Sequence, residues 1–182
     1  TMEKKGEDAP MNRTESAIFL REVFDFSEVP RTAVITGSGQ DGALSFLTER
    51  QELPFSEIPY FTSSTVPGHG SKLIVGRCGG RQVLALCGRR HRYEGCTMEE
   101  IVYPVRTLAA LGVREVVLLN AAGGINLSFL PGDLMLITDH INLSGQSPLI
   151  GPNDDQLGPR FPDMSEAYSA ELIRRMHLAA AR

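Results

Sequence analysis

Four cationic or titratable side chains follow one apolar run of this chain, in a loop that begins with a glycine. They are Arg89, Arg90, His91 and Arg92. The chain as a whole carries 22 Asp and Glu residues against 18 Lys and Arg residues, a net charge of −4. A positive cluster on an acidic chain indicates a local anionic ligand, because guanidinium and imidazole groups donate hydrogen bonds to oxyanions. The alternative is a solvated charged turn whose arginines pair with surface carboxylates.

Three further segments place small residues where a ligand would approach the backbone. The turn 37–39 follows a β-branched run, and its glycines would let an oxyanion reach the backbone while Ser38 donates its hydroxyl. His69 lies between two glycines in the loop 66–70 and is therefore unhindered. Residues 120–124 close an apolar run at the kind of position where α/β proteins bind ligands. The structural alternatives are a plain turn, a surface histidine and tight strand-to-loop packing.

The bulk composition is that of one globular domain. The chain has 182 residues, of which 42% are hydrophobic, enough to form a core. Its negative charge argues against a nucleic-acid or membrane-surface protein, and no apolar run reaches the roughly 18 residues of a membrane span. The start lacks the apolar core of a secretory signal, so the sequence predicts a cytoplasmic protein. We expect residues 1–10 to be disordered and 11–182 to form a single α/β domain.

The three cysteines indicate neither a disulfide nor a metal site. Cys78, Cys87 and Cys96 are odd in number, and they lack C-x-x-C pairing and histidines at zinc spacing. We interpret them as reduced, mostly packing thiols, as expected in a reducing compartment.

Helical and strand patterns alternate along the chain. Helices are predicted over 15–26, 41–48, 97–111 and from Ser165 onward, and strands over 32–36, 72–76, 82–87, 113–119 and 134–138. Thr97 is a candidate helix cap, Gly112 ends that helix, and the glycines at 79–80 predict an antiparallel hairpin. This alternation predicts an α/β fold with a twisted mixed central sheet, substantially parallel and flanked by helices.

Seven short motifs occur in order over residues 31–168. They read T-G-S-G, V-P-G-H-G, G-R-x-H-x-Y-E-G, N-A-A-G-G-I-N, G-D-L-M-L-I-T-D-H-I-N-L, G-P-N-D and R-F-P-D-M-S-x-A-Y. In this order they resemble the trimeric purine nucleoside phosphorylases, and the resemblance implies their phosphorylase/hydrolase-like fold. The N-A-A-G-G block resembles the inosine and guanosine phosphorylases more than the methylthioadenosine phosphorylases, which have a T-A-C-G-S type of segment there.

The resemblance implies a reaction and its participants. Phosphate, as co-substrate, attacks the anomeric carbon of a purine ribo- or deoxyribonucleoside such as inosine or guanosine. The products are the free base and α-ribose 1-phosphate, a step of purine salvage. The transition state would resemble an oxocarbenium ion, which a nearby phosphate dianion stabilises. No metal and no other cofactor is implied, and the expected assembly is a homotrimer.

The resemblance also implies the phosphate-binding residues. By motif match, Ser38, Arg89 and His91 grip phosphate and are the catalytic residues, assisted by the backbone amide of Ala121. A planar guanidinium offers two parallel donors to two phosphate oxygens. Glu94 is implied to orient His91 or the adjoining loop.

The nucleoside-binding residues follow from the same motifs. His69, Tyr93 and Ala121 are implied to lie at the nucleoside, with Tyr93 near the ribose. Phe161 matches the position at which one subunit covers the pocket of its neighbour, which would make the trimer part of the active site. The alternative for Phe161 is an ordinary core phenylalanine.

Some features depart from the family pattern. The match ends near residue 169, so the family's later part, which reads the purine base, has no counterpart, and 6-oxo against 6-amino preference is undecided. Gln40 and Asp41 stand where the family usually has a small or apolar residue followed by glycine. We assign the adjacent Asp139 and His140 to the scaffold. Two alternatives stay open: a truncated, non-catalytic relative that binds phosphate or full-length subunits, and a methylthioadenosine-type phosphorylase.

Overall fold

A computed structural model describes residues 11–26, 28–37, 39–63 and 71–181, apart from the side chain of Asp41. The chain divides into two compact units, Thr1–Ala122 and Gly123–Arg182. The predicted disorder of residues 1–10 falls outside the described residues. The single domain that the sequence indicates stays a prediction, and each unit is described by itself.

The first unit is built on one mixed sheet of five strands. They are β1 Thr32–Thr36, β2 Thr48–Pro54, β3 Lys72–Cys78, β4 Arg81–Cys87 and β5 Glu115–Leu118. The strand order is β2-β3-β4-β1-β5. The strands β4, β1 and β5 run parallel, whereas β2 and β4 each pair with β3 in antiparallel fashion. The predicted mixed sheet of an α/β fold is confirmed.

Two helices of the first unit, α1 Arg13–Val23 and α2 Met98–Leu111, begin and end at recognisable residues. As predicted, Thr97 caps α2: its hydroxyl oxygen accepts a hydrogen bond from the Glu100 N–H at 3.2 Å. The Glu100 carboxylate accepts one from the Thr97 N–H at 2.6 Å, and this bond lowers the pKa of Glu100. Gly112 ends the helix with φ at +115°, a conformation that glycine adopts without strain.

The core fills both faces of the sheet, because successive strand residues point to opposite sides. On one face, side chains of α1 and α2 pack against β1, β3 and β4, with Leu20, Leu84 and Leu108 among the fully buried residues. On the other face, Leu44 and Leu47 cover Ile74, Ala85 and Cys87. The carboxyl ends of the strands are thereby held in fixed positions for the loops that follow them.

The predicted helix over 41–48 is wrong. A single turn of 3₁₀ helix covers Asp41–Leu44, and the chain then enters β2, which the sequence did not indicate. Six of the seven β2 residues are exposed, so the strand lacks an apolar alternation. Its charged residues pair with each other and with β3: Glu52 accepts from Lys72 at 2.7 Å and from Arg50 at 3.0 Å. Charges along the outer strand oppose edge-to-edge association.

The second unit holds one helix, α3 Ala170–Ala180, among its described residues. The predicted strand over 134–138 is wrong, since this segment pairs with no described strand and the Leu134 side chain is fully exposed. The predicted helix start at Ser165 is also wrong. Ser165 donates its hydroxyl to Asp163 at 2.6 Å within a local turn, and Ser169 caps α3 by accepting from Leu172.

Across the described ranges, every helix is too short or too polar to cross a membrane.

Candidate active site

The carboxyl ends of three parallel strands meet at one edge of the sheet, and Arg89 lies there. Arg89 follows β4, and its Nη1 donates to the backbone oxygen of Leu119, which follows β5, at 3.2 Å. Nη1 also lies 3.5 Å from the backbone oxygen of Thr36, the last residue of β1. The guanidinium therefore ties together the ends of β1, β4 and β5, the edge at which α/β proteins bind ligands.

This anchoring leaves much of the Arg89 guanidinium for a ligand. A guanidinium has five N–H donors, and the Nη1 atom, which carries two of them, makes both backbone contacts. Among the described residues, no acceptor lies at hydrogen-bond distance from its Nε or Nη2. Three donors in one plane suit two oxygens of a phosphate or carboxylate.

His91 is held by Glu94, three residues along the chain. The Glu94 Oε1 atom accepts the His91 backbone N–H at 2.9 Å and lies 2.9 Å from His91 Nδ1. The Glu94 side chain is only 2% exposed, whereas that of His91 is 20% exposed. The carboxylate thus fixes both the backbone and the ring of His91, the orienting role that the sequence analysis gave it.

The same contact favours one tautomer of His91. An ionised carboxylate only accepts hydrogen bonds, so the proton on this side of the ring resides on Nδ1. In that tautomer, Nε2 is an acceptor when the ring is neutral and a donor when the ring is protonated. His91 can therefore bind either a P–OH group or an unprotonated phosphate oxygen, depending on its charge.

Tyr93 stacks on His91 in the same short 3₁₀ turn, Arg92–Glu94. The two ring centroids are 4.8 Å apart and the ring planes differ by 15°. Although it stacks, the Tyr93 side chain is 73% exposed. An aromatic ring that is held in place and yet exposed is suited to contact a ligand beside the histidine.

The other two arginines of the loop have different surroundings from Arg89. Arg92 Nη1 donates to the backbone oxygen of Cys96 at 2.8 Å. The pKa of Glu100 is lowered first by the Thr97 N–H and further by the positive charge of Arg90. Within the cationic loop, Arg89 thus lies at the sheet edge, whereas Arg92 is hydrogen-bonded within its own loop.

The structure describes some of the remaining predicted site residues and not others. Ser38 and His69 lie outside the described residues. Ala121 is exposed and comes two residues after Leu119, whose oxygen binds Arg89. Phe161, in the second unit, is 86% exposed, so its interpretation as a core residue is wrong.

The residue types of the Gly37–Gln40 turn indicated no role for it beyond the oxyanion hypothesis for Ser38. The Gly37 N–H donates to Gln40 Oε1 at 2.9 Å, so the Gln40 side chain closes the turn. The side chain of Asp41, the other departure from the family pattern, is not among the described groups. A glutamine three residues after a glycine is the only sequence signal for this contact.

No group of three metal-ligating side chains occurs within the ranges that the structure describes. The absence of a metal from the mechanism stays a prediction. The second unit holds His140, whose Nε2 pairs with the Tyr168 hydroxyl. This contact joins segments 28 residues apart and fits the scaffold role predicted for His140.

We predict that Glu94→Ala lowers phosphate affinity about tenfold and destabilises the fold by about 1–3 kcal/mol. The mutation removes the acceptor of the part-buried His91 N–H and the contact that orients the ring at Nδ1. Glu94→Gln keeps an oxygen in the same place and is expected to retain most of the stability. Phosphate titration calorimetry and urea unfolding measure the two effects.

Glu99→Ala is the control for Glu94→Ala, because Glu99 is exposed on the first turn of α2 and carries the same charge. If both alanine variants changed phosphate affinity equally, loss of negative charge and not loss of His91 orientation would be responsible.

Comparison with known proteins places this chain in a family. Residues 31–182 match the family model described as the Phosphorylase superfamily. The chain is 49% identical over 165 residues to purine nucleoside phosphorylase 1 of Geobacillus stearothermophilus, covering 89% of this chain and 60% of that protein. It is 48% identical over 151 residues to the purine nucleoside phosphorylase of Bos taurus, covering 81% of this chain and 52% of that protein.

A solved structure of a purine nucleoside phosphorylase is also similar to this chain. The crystal structure of isoform 2 of purine nucleoside phosphorylase from Schistosoma mansoni, in complex with cytosine and ribose-1-phosphate, superposes with a TM-score of 0.83 at 40% identity. The superposition covers 93% of this chain and 60% of that one. The chain thus spans 52% to 60% of the length of these three proteins. The motif resemblance to the purine nucleoside phosphorylases is confirmed, and the match over residues 31–182 shows that the chain belongs to the phosphorylase superfamily.

Proposed function

We propose that this chain carries the phosphate site of a purine nucleoside phosphorylase. The reaction converts purine ribo- and deoxyribonucleosides, such as inosine and guanosine, and phosphate to the free base and ribose 1-phosphate in purine salvage. One observation carries the proposal: Arg89 is fixed at the ends of β1 and β5 with donors to spare. The 48% and 49% identity to proteins named purine nucleoside phosphorylase supports it.

The proposed chemistry assigns a part to each phosphate-binding residue. A phosphate oxygen forms a bond to the anomeric carbon while the C–N glycosidic bond breaks, and the bond electrons leave with the purine, which takes up a proton. Positive charge develops on the sugar and is stabilised by the phosphate dianion. Arg89 and His91 bind and orient that dianion, with the Ser38 hydroxyl and the Ala121 amide completing the shell. Orientation of the two reactants supplies much of the rate.

The nucleoside side of the proposed site is aromatic. Tyr93, stacked on His91 and largely exposed, is suited to contact the ribose. His69 and Ala121 are proposed to lie at the nucleoside as well. Phe161 is proposed to cover the pocket of a neighbouring subunit in a homotrimer. Its side chain is 86% exposed, as expected of a residue that would be buried only by another subunit.

A cytoplasmic location is part of the proposal. Cys78, Cys87 and Cys96 form no disulfide with one another, and Cys87 and Cys96 are buried. Free thiols are typical of proteins in a reducing compartment. Phosphate serves as co-substrate, and neither a metal nor another cofactor is proposed.

A second candidate function is phosphate binding without catalysis. It is favoured by one observation: the groups that the structure holds in place, Arg89 and His91, are those assigned to phosphate and not to the purine base. In that case Arg89 and His91 would bind phosphate without turnover of a nucleoside.

Release of hypoxanthine from inosine tests the proposal. We expect the 182-residue chain at high concentration to release hypoxanthine only when inorganic phosphate is present, as measured by ultraviolet absorbance or chromatography. The matched control replaces phosphate with chloride at equal ionic strength. Phosphate binding without release would favour the second candidate, and absence of both would contradict the phosphate site itself.

A further inference from the structure

The turn after β1 is closed by two hydrogen bonds between the same two residues. The Gln40 backbone N–H donates to the Gly37 oxygen at 3.3 Å, and the Gly37 N–H donates to Gln40 Oε1 at 2.9 Å. Gly37 is buried and Gln40 is half-buried. The second bond depends on the side chain of Gln40, so the residue type at this position determines whether the turn is closed on both sides.

The bare Cα of Gly37 borders the Arg89 guanidinium. A Cβ atom built on Gly37 would lie 3.1 Å from Arg89 Nη1 and 3.2 Å from the Leu119 oxygen. It would also lie 3.2 Å from Gln40 Oε1. The φ angle of Gly37 is outside the left-handed region, so backbone conformation does not require a glycine here. The glycine instead provides the space that Arg89 Nη1 occupies beside the Leu119 oxygen.

We propose that the Gly37–Gln40 turn positions Arg89 for oxyanion binding. Gln40 is the positioning residue that closes the turn. Gly37, which has no side chain, leaves the space that the guanidinium occupies. This inference rests on the proposed function, because it takes phosphate as the ligand of Arg89. Gln40 does not touch the ligand; it acts through Arg89.

The physical consequence is a guanidinium that is ordered before the ligand arrives. An arginine side chain loses considerable rotamer entropy when it is fixed, and that cost weakens binding if it falls on the binding step. Hydrogen bonds to the Leu119 and Thr36 oxygens, beside the bare Cα of Gly37, fix Arg89 in the unliganded chain. If the turn were open, Arg89 would be ordered only when phosphate binds, and the entropy cost of ordering its side chain would weaken phosphate binding.

Calorimetric titration of the full 182-residue chain with inorganic phosphate tests this inference. Gln40→Met keeps the length of the side chain and removes the acceptor, whereas Gln51→Met makes the same change on exposed β2. Gly37→Ala places a methyl group against Arg89, whereas Gly42→Ala meets no described atom within 4 Å and also lies outside left-handed φ. We expect Gln40→Met and Gly37→Ala to weaken phosphate binding about five- to tenfold and both controls to change it less than twofold.

Repeating the Gln40 mutation in an Arg89→Lys background distinguishes a role of Gln40 in positioning Arg89 from a general effect of Gln40 on the fold. Lysine retains the charge but has no planar Nη1 group to occupy the space at Gly37. If Gln40 acts through Arg89, adding Gln40→Met to Arg89→Lys should change phosphate affinity little, because mutations on one coupled pathway are not additive. A full further five- to tenfold loss in this background would overturn the inference.

The outcomes also separate this inference from the proposed function. If the wild-type chain binds phosphate and Gln40→Met and Gly37→Ala bind it equally well, the positioning role is wrong and the phosphate site stands. If the wild-type chain binds no phosphate, the proposed function fails and this inference fails with it. Circular dichroism of each variant confirms that it is folded before affinities are compared, and two independent variants guard against the failure of one to fold.

Discussion

Arg89→Ala is expected to weaken phosphate binding by about 10²-fold or more. The variant loses two parallel charge-assisted hydrogen bonds to the ligand, each worth about 1.5–3 kcal/mol, and every 1.4 kcal/mol corresponds to about tenfold in affinity. The same substitution removes the link between the ends of β5 and β1, which Arg89 makes through the Leu119 and Thr36 oxygens. Phosphate titration, or the phosphate dependence of hypoxanthine release, measures the effect.

The neighbouring Arg92 offers a matched control for this prediction. Arg92→Ala removes the same charge from the same loop, but Arg92 donates to the Cys96 oxygen and not to the sheet edge. Its effect on phosphate affinity should therefore stay within about threefold, the size of a change in general electrostatic attraction. Arg89→Lys should fall between the two, because an ammonium group keeps the charge without the bidentate geometry. Equal losses in Arg89→Ala and Arg92→Ala would refute a specific role for Arg89.

The sequence predicted those elements whose signals are local. The capping box of α2 is contained within Thr97 and Glu100, and its end is specified by Gly112. The hairpin between β3 and β4 follows from Gly79 and Gly80, which adopt φ of +55° and +79°. Each of these features depends on backbone preferences within four residues, which a sequence displays directly.

The sequence failed where an element depends on a distant neighbour. The strand β2 was missed because its stabilising contacts are cross-strand charge pairs to β3, such as Glu52 with Lys72, 20 residues apart. The segment 134–138 was wrongly predicted as a strand because an apolar run indicates burial but supplies no pairing partner. In both cases the decisive information lies in the tertiary arrangement.

The candidate site shows the same division. The residue types at 89 and 91 pointed to an anion site, and the placement of Arg89 at the sheet edge follows from the end of β4. The sequence did not indicate which arginine of the cationic loop lies at that edge, because Arg92 differs from Arg89 only in its hydrogen-bond partner. Gln40 was noticed solely as a departure from the family, since its bond to Gly37 is visible only in the structure.

Leu84→Ala is expected to destabilise the chain by about 2–5 kcal/mol, a large part of the roughly 5–15 kcal/mol that stabilises a typical domain. Leu84 is completely buried on β4, where it is paired with Val75 of β3 and Ala33 of β1. Its truncation removes buried apolar surface and leaves a cavity in the middle of the sheet, which the flanking strands cannot close without losing their register. Urea unfolding followed by circular dichroism measures the change in the free energy of unfolding.

Leu134→Ala makes the same chemical change at a fully exposed position of the second unit. It should alter the free energy of unfolding by no more than about 0.5 kcal/mol, because no buried surface is lost. The pair of variants therefore tests the structure at the point where it overturned the sequence-based prediction of a strand over 134–138. A loss at Leu134 comparable to that at Leu84 would mean that this segment is buried after all, and that the apolar pattern, which predicted a buried strand there, was correct.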